Sequence, residues 1–277
     1  MTAVRRYDFE THEPAQLYVE LGRGSLHVTA TDTTETHVEV AGADAEQVEV
    51  RQEGREISVV APRKHGGFFG NDSSLAVKVT LPHESELALK TGSADITVDG
   101  TVGRVEIKSG SGDVRLADLA GPGLVETGSG DVTIEVANAE LRIKSGSGEV
   151  AVRHAEEAVA ISTGSGDVRL GTARGPAAVK TGSGDLRVTE AHTDLSLTTG
   201  SGDLVVGTAH RGRLTAKGAS GHVRIGVPAG VPVWTDISTI SGTIRSGLAG
   251  VGEPADDTDH IELRAKTVSG DIVLGQV

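Results

Sequence analysis

The strongest constraint on this chain is a repeat that keeps strict register. The tetrapeptide Gly-Ser-Gly-Asp, or a near copy, begins at Gly92, Gly110, Gly128, Gly146, Gly164, Gly182 and Gly200, each start 18 residues after the last. Ala94 replaces the second Gly in the first copy, and Glu149 replaces Asp in the fourth. A fixed period of this length marks an architecture in which one supersecondary unit stacks on the next. Past Asp203 the spacing loosens, through Ser220-Gly221-His222, Ser241-Gly242-Thr243 and Ser269-Gly270-Asp271. Near the start, Gly24-Ser25-Leu26-His27-Val28 is a degenerate copy.

Aligned on the repeat, the units show apolar columns. Before each turn stands an alternating pair, such as Leu87/Leu89, Val105/Ile107, Leu141/Ile143 and Val159/Ile161; after it stands another, such as Ile96/Val98, Val114/Leu116, Val150/Val152 and Val168/Leu170. A spacing of two is the strand signature with one face buried. A third column is small: Leu119, Ala137, Ala155, Ala173, Ala191, Ala209. No apolar period of 3.6 persists beyond a turn. Each unit therefore offers two short strands and a corner, and buries its apolar face only when stacked at the ~4.8 Å strand spacing. The expected fold is all-β, a parallel β-solenoid with 18-residue coils. The general preference for right-handed crossovers favours a right-handed coil, although left-handed hexapeptide helices share the coil length.

Composition agrees. Aromatic residues are 2% of the chain against 37% hydrophobic overall, so Val, Leu, Ile, Ala and Thr must fill a thin, layered core. A net charge of −13 argues against a nucleic-acid backbone or an anionic membrane as partner. With no Cys, disulfides and thiol chemistry are excluded. Residues 1–16 carry Arg5, Arg6, Asp8, Glu10 and Glu13 with no apolar run, and no window resembles a membrane span, so a cytoplasmic protein is expected.

Three regions are expected. Residues 1–86 form an irregular N-terminal β cap with imperfect first coils, 87–225 the regular solenoid, and 226–277 irregular coils. Two loops stand out, the turn-rich run 64–70 and the acidic run 247–260 with Glu253, Asp256, Asp257 and Asp259. A solenoid end exposes unpaired strand amides unless capped. The strand carrying Ile272, Val273 and Leu274 is the expected uncovered end, open to self-association or a protein partner unless the 247–260 loop folds over it.

Glycine at the turns allows positive φ and close stacking. The Ser/Thr column before them (Thr91, Ser109, Thr127, Ser145, Thr163, Thr181, Thr199) can bond turn amides. Asp95, Asp113, Asp131, Glu149, Asp167, Asp185 and Asp203 form an outward carboxylate column. At ~5 Å spacing its members repel by ~1 kcal/mol per pair in a watery dielectric. Arg115, Arg169 and Arg187, two residues on, and turn amides are the expected compensation. The alternative is a calcium ladder like that of RTX β-rolls, but here the glycine turn comes once per 18 residues and the second half-coil lacks a partner loop. The column reads as structural.

His192 and His210, also 18 apart, fall at one corner of adjacent coils. They are the candidate metal ligands, but with no third ligand evident they read as surface histidines. No cofactor, catalytic nucleophile–base pair or small-molecule substrate is indicated: Ser and Asp recur in every coil, no His belongs to the repeat, and the strict coils hold no aromatic platform for a sugar.

The run Leu81-Pro82-His83-Glu84-Ser85-Glu86-Leu87-Ala88-Leu89-Lys90-Thr91-Gly92, followed by serial T-G-S-G-D-V-x-L units, resembles the bacterial putative-adhesin family, a toastrack-like β-strand-repeat family of unknown function. The resemblance spans about Leu17 to Leu274. It implies adhesion, with some relatives tied to cell-envelope stress, and supplies no catalytic residues. The expected function is thus a non-catalytic interaction or assembly scaffold. The alternative is an exported surface adhesin or calcium-stabilised ligand-binding rod.

Overall fold

The computed structural model describes residues 3–62, 74–248 and 260–277. The 64–70 run and residues 249–259 of the acidic loop lie outside the described residues. The chain forms two compact units, Met1–Ala139 and Glu140–Val277. Both are parallel β-solenoid, and the only helical element described is a three-residue 3-10 turn, Ala45–Gln47.

The first unit contains β1 (Ala3–Glu10), β2 (Gln16–Thr31), β3 (Glu35–Gly42), β4 (Glu49–Glu53), β5 (Glu56–Val60), β6 (Leu75–Pro82), β7 (Glu86–Val102), β8 (Val105–Ser109), β9 (Val114–Leu119), β10 (Gly123–Thr127) and β11 (Val132–Ala137). The degenerate repeat at Gly24 is a true coil. β2 runs parallel to β7 with Leu26 opposite Ile96 and Val28 opposite Val98. On its other side β2 meets β5 and β6, also parallel. Three strands then depart from the solenoid pattern: β1 with β3, β3 with β6, and β4 with β5 are all antiparallel. All of these strands lie within residues 3–82. β3 turns Val38 and Val40 into the core, while the edge strand β1 carries Arg5, Arg6, Asp8 and Glu10, charges that discourage further pairing.

The second unit contains β12 (Leu141–Ser145), β13 (Val150–Ala155), β14 (Val159–Thr163), β15 (Val168–Ala173), β16 (Ala177–Ser183), β17 (Leu186–Ala191), β18 (Leu195–Ser201), β19 (Leu204–Ala209), β20 (Gly212–Ser220), β21 (Val223–Val227), β22 (Val233–Ser241), β23 (Ile244–Ser246), β24 (Ile261–Ser269) and β25 (Ile272–Gln276). Alternate strands stack in register at the sequence period: Leu141 lies opposite Val159, and Val150 opposite Val168. All the predicted inward pairs are buried, and the small column Ala155, Ala173, Ala191 and Ala209 is at most 2% exposed.

The C-terminal order differs from expectation. β24 pairs with β20 on one side and β22 on the other; β25 likewise lies between β21 and β23. The strand of Ile272, Val273 and Leu274 is therefore interior to the stack, with Ile272 and Leu274 at 0% and 2% exposure. It is not the solenoid end. Among the described residues the end is the coil of β22 and β23, because the more apolar coil, with Ile261, Leu263 and Ala265 facing in, takes the slot covered on both sides. The outer coil offers Thr235 where β24 has Leu263.

Candidate functional site

The outward carboxylate column is held by a backbone ladder. The amide of Asp113 donates to Asp95 Oδ1 (3.0 Å), and that of Asp131 to Asp113 Oδ1 (3.1 Å). In the second unit Asp185 N donates to Asp167 Oδ1 (2.9 Å), Asp203 N to Asp185 Oδ1 (2.8 Å), and His222 N to Asp203 Oδ1 (2.8 Å). Asp95, Asp113, Asp167, Asp185 and Asp203 thus each accept the amide of the residue one coil on. A hydrogen bond to a charged acceptor contributes about 1.5–3 kcal/mol; exposure brings this toward the lower end, since Asp113 leaves 37% of its side chain in solvent. That still exceeds the ~1 kcal/mol repulsion between neighbours.

The ladder continues through the exchanged coils. Asp271 N donates to His222 Nδ1 (3.1 Å), and Thr243 N donates to Asp271 Oδ1 (2.8 Å). The sequence of acceptors runs Asp203, His222, Asp271 and stops at Thr243, which has no carboxylate to offer another coil. Of the expected arginine partners, Arg115 pairs with Asp113 (3.1 Å) and Arg169 with Glu149. Arg187 lies beside Arg169 in register and forms no ion pair among the described residues.

Behind the carboxylates the Ser/Thr column is buried and bonded to the turn. Gly130 N donates to Thr127 Oγ1, Gly148 N to Ser145 Oγ and Gly166 N to Thr163 Oγ1, at 3.1–3.2 Å. Close approach fixes the first glycine of the repeat: a Cβ on Gly110 would stand 2.4 Å from the carbonyl oxygen of Gly92. In the second unit that same column runs on from Gly200 as Ala219, Val268 and Ile240. Val268 is 51% exposed and Ile240 83%. An outer face that elsewhere is Gly, Ser and Asp therefore becomes apolar toward the β22 edge. Ile244 of β23 stands in the inward column, opposite Ile272, and is exposed because no described coil covers it. Arg264 stacks over Trp234 (5.8 Å) and Lys266 pairs with Asp236 (3.2 Å), tying β22 to β24.

His192 and His210 do meet. Their rings stack with centroids 4.3 Å apart and planes at 4°. Sequence reasoning missed Glu190, whose Oε2 lies 3.4 Å from His192 Nε2. The signal was available: Glu190 and His192 flank inward Ala191, so a spacing of two puts both outside. Ligand atoms of Glu190, His192 and His210 all lie within 4.8 Å of one another. One coil earlier in the same column Arg174 pairs with Glu156 (3.1 Å).

Where β24 docks on β20, Arg213 bonds Glu262 (2.6 Å), and its guanidinium, helped by Arg264, holds the Glu262 carboxyl below the usual range against the opposing effect of burial. No helix among the described residues is long and apolar enough to cross a membrane.

Stacked parallel coils, an outward acid ladder and antiparallel N-terminal strands define an all-β solenoid. The chain belongs to the Toastrack DUF4097 family, whose model matches residues 16–175 and 125–275. Solved structures resembling it include a putative lipid binding protein from Parabacteroides distasonis (15% identity, 100% of this chain and 96% of that one, TM-score 0.44). A putative adhesin from Parabacteroides merdae is 13% identical over 100% and 96% of the two chains, TM-score 0.35. A putative cell adhesion protein from Clostridium sporogenes is 11% identical over 100% of both, TM-score 0.26. No curated protein matches the chain.

Proposed function

We propose that this protein is a non-catalytic, adhesin-like scaffold that assembles through the open edge of β22 and β23. The observation that carries the reading is the conjunction at that edge: a nine-residue strand with one partner among the described residues, bearing Ile240 exposed at 83% and followed by Ile244 of β23 at 42%. An unpaired strand is a template for another strand, and exposed β-branched side chains beside it supply apolar area to bury. The antiparallel, charged cap strands do not offer the same invitation. A single open edge of this kind suits an isologous pair, edge to edge, in preference to an open filament. The acid ladder supports a structural role for the carboxylates, because each Oδ1 in it is engaged by an amide of the next coil.

The test is light scattering coupled to size exclusion. The wild type is expected at twice the 28.4 kDa chain mass, and an Ile240→Lys, Ile244→Lys variant at the mass of one chain, with an unchanged β-type circular dichroism spectrum. A wild type that stays at one chain mass up to high concentration overturns the assembly reading.

A further inference from the structure

The corner following β17 and β19 carries a cluster that the acid ladder and the open edge do not involve. Glu190, His192 and His210 project from two adjacent coils, and their ligand atoms converge to within 4.8 Å. We propose that these three side chains form a binding site for one transition-metal ion of the zinc class.

The donor chemistry selects the ion. Two imidazoles with one carboxylate suit borderline first-row divalent ions such as Zn²⁺, whereas Ca²⁺ takes six to eight oxygen ligands. Three protein ligands on a tetrahedral ion leave the fourth position to water. The geometry is close. Ligands ~2.0–2.1 Å from a tetrahedral zinc stand about 3.4 Å from one another, and Glu190 Oε2 is already 3.4 Å from His192 Nε2. The two rings are parallel at 4.3 Å, so the remaining contraction needs only their tilt toward a common point. The strands need not move, since the backbone at the corner is pinned: His192 N donates to Ala173 O (2.9 Å) and His210 N to Ala191 O (2.8 Å).

A second observation points to a missing ligand. Nε2 of His210 is shut off from solvent and has no hydrogen-bond partner among the described residues. A buried nitrogen left without a partner is costly, and the lone pair of a neutral imidazole is the group a metal ion would satisfy. The contrast along the column is informative as well. Glu156 and Arg174 satisfy each other, whereas the next two coils present two imidazoles face to face, with a carboxylate beside them. The nearby Arg211 is turned to the backbone, its Nε donating to His192 O (2.9 Å).

The experiment uses the full chain, stripped of metal by chelator, then titrated with Zn²⁺ by calorimetry and with Co²⁺ by visible absorption. About one equivalent is expected to bind, with the intense d–d bands of low-coordinate Co²⁺, and Zn²⁺ is expected to raise the melting temperature. His192→Gln and His210→Gln are each expected to weaken binding at least ~10-fold, the lower bound seen even for outer-shell partners of metal sites. Both substitutions lie on the outer corner, and circular dichroism and the metal-free melting temperature check the fold. The proposal is overturned by no stoichiometric binding, by binding that survives undiminished in His210→Gln, or by an equal thermal response to Ca²⁺.

Discussion

The two terminal regions of this protein solve one problem in opposite ways. At the N-terminal cap, β3 crosses antiparallel onto β6, β1 closes over β3, and β4 folds back on β5. At the C-terminal region the stack stops on β22 and β23, which run parallel to their neighbours and have one partner each among the described residues. Reversal of strand direction takes a ladder out of the coil rhythm and lets charged strands finish it. Continuing in parallel leaves a face with the same hydrogen-bonding pattern as every interior coil. The difference teaches that a repeat protein is terminated by breaking its repeat, and that an unbroken repeat at an edge remains available for addition.

The largest expected effect separates these regions directly. Val40→Asp puts a charge on the inner face of β3, where Val40 is fully buried; with no partner in a dry core the cost is at least ~3 kcal/mol. Ile240→Asp, on a side chain that is already 83% exposed, is expected to change the stability of the single chain by less than about 0.5 kcal/mol. Urea denaturation of both variants checks this, and equal losses would dissolve the contrast between a sealed end and an open one.

A smaller effect is expected along the acid ladder. Asp185→Ala leaves the amide of Asp203 without its acceptor, at a cost of about 1 kcal/mol or somewhat more. Asp271→Ala removes the same bond from Thr243 in the outermost coil, where water replaces it, so a few tenths of a kcal/mol are expected. Chemical denaturation of the pair measures how far the coils lose cooperativity toward the open edge. If Asp271→Ala proves the costlier, the outer coil is better buried than β22 and β23 indicate.

The smallest effect concerns pH. Glu262 joins β24 to β20 through Arg213, and its folded pKa lies below the ordinary carboxylate value. A depressed folded pKa contributes stability that is present above the unfolded pKa, ~4.3, and disappears as pH falls through the folded value. Glu262→Gln is therefore expected to lower the melting temperature slightly at pH 7 and to converge on the wild type in acid below that range. A difference that persists or grows in acid would mean that Glu262 stabilises by packing instead of by charge.

Much of this was legible in the sequence because the repeat ties local and long-range structure together. Knowing that Leu141 precedes Val159 by one period was enough to place them side by side, and alternation assigned the buried face. The ladder was only half legible. The need to offset the carboxylates was clear, but the acceptor relation between Asp185 and the amide of Asp203 depends on how one coil is offset on the next. The exchanged order at the C-terminal region is hidden from the repeat, because there chain order and stacking order differ. Two residues carried the hint: Thr235 in an inward column and Thr243 at the end of the acid series are poor interior residues for a coil. Glu190 is hidden for a simpler reason, because it joins His192 along the strand and not across coils.

The exchanged order has a consequence for synthesis. Translation delivers β22 and β23 before β24 and β25, yet β22 and β23 rest on strands that emerge later. A ribosome-bound chain that has reached Ser246 has no finished place for that coil, unlike each earlier coil of the second unit, which can add to the one just made. In an order of stacking that runs from the N-terminal side, the outermost coil lacks its support until β24 and β25 have been made. The last coil enters as a wedge between two coils already made, and four parallel ladders, β20–β24, β22–β24, β21–β25 and β23–β25, depend on its arrival.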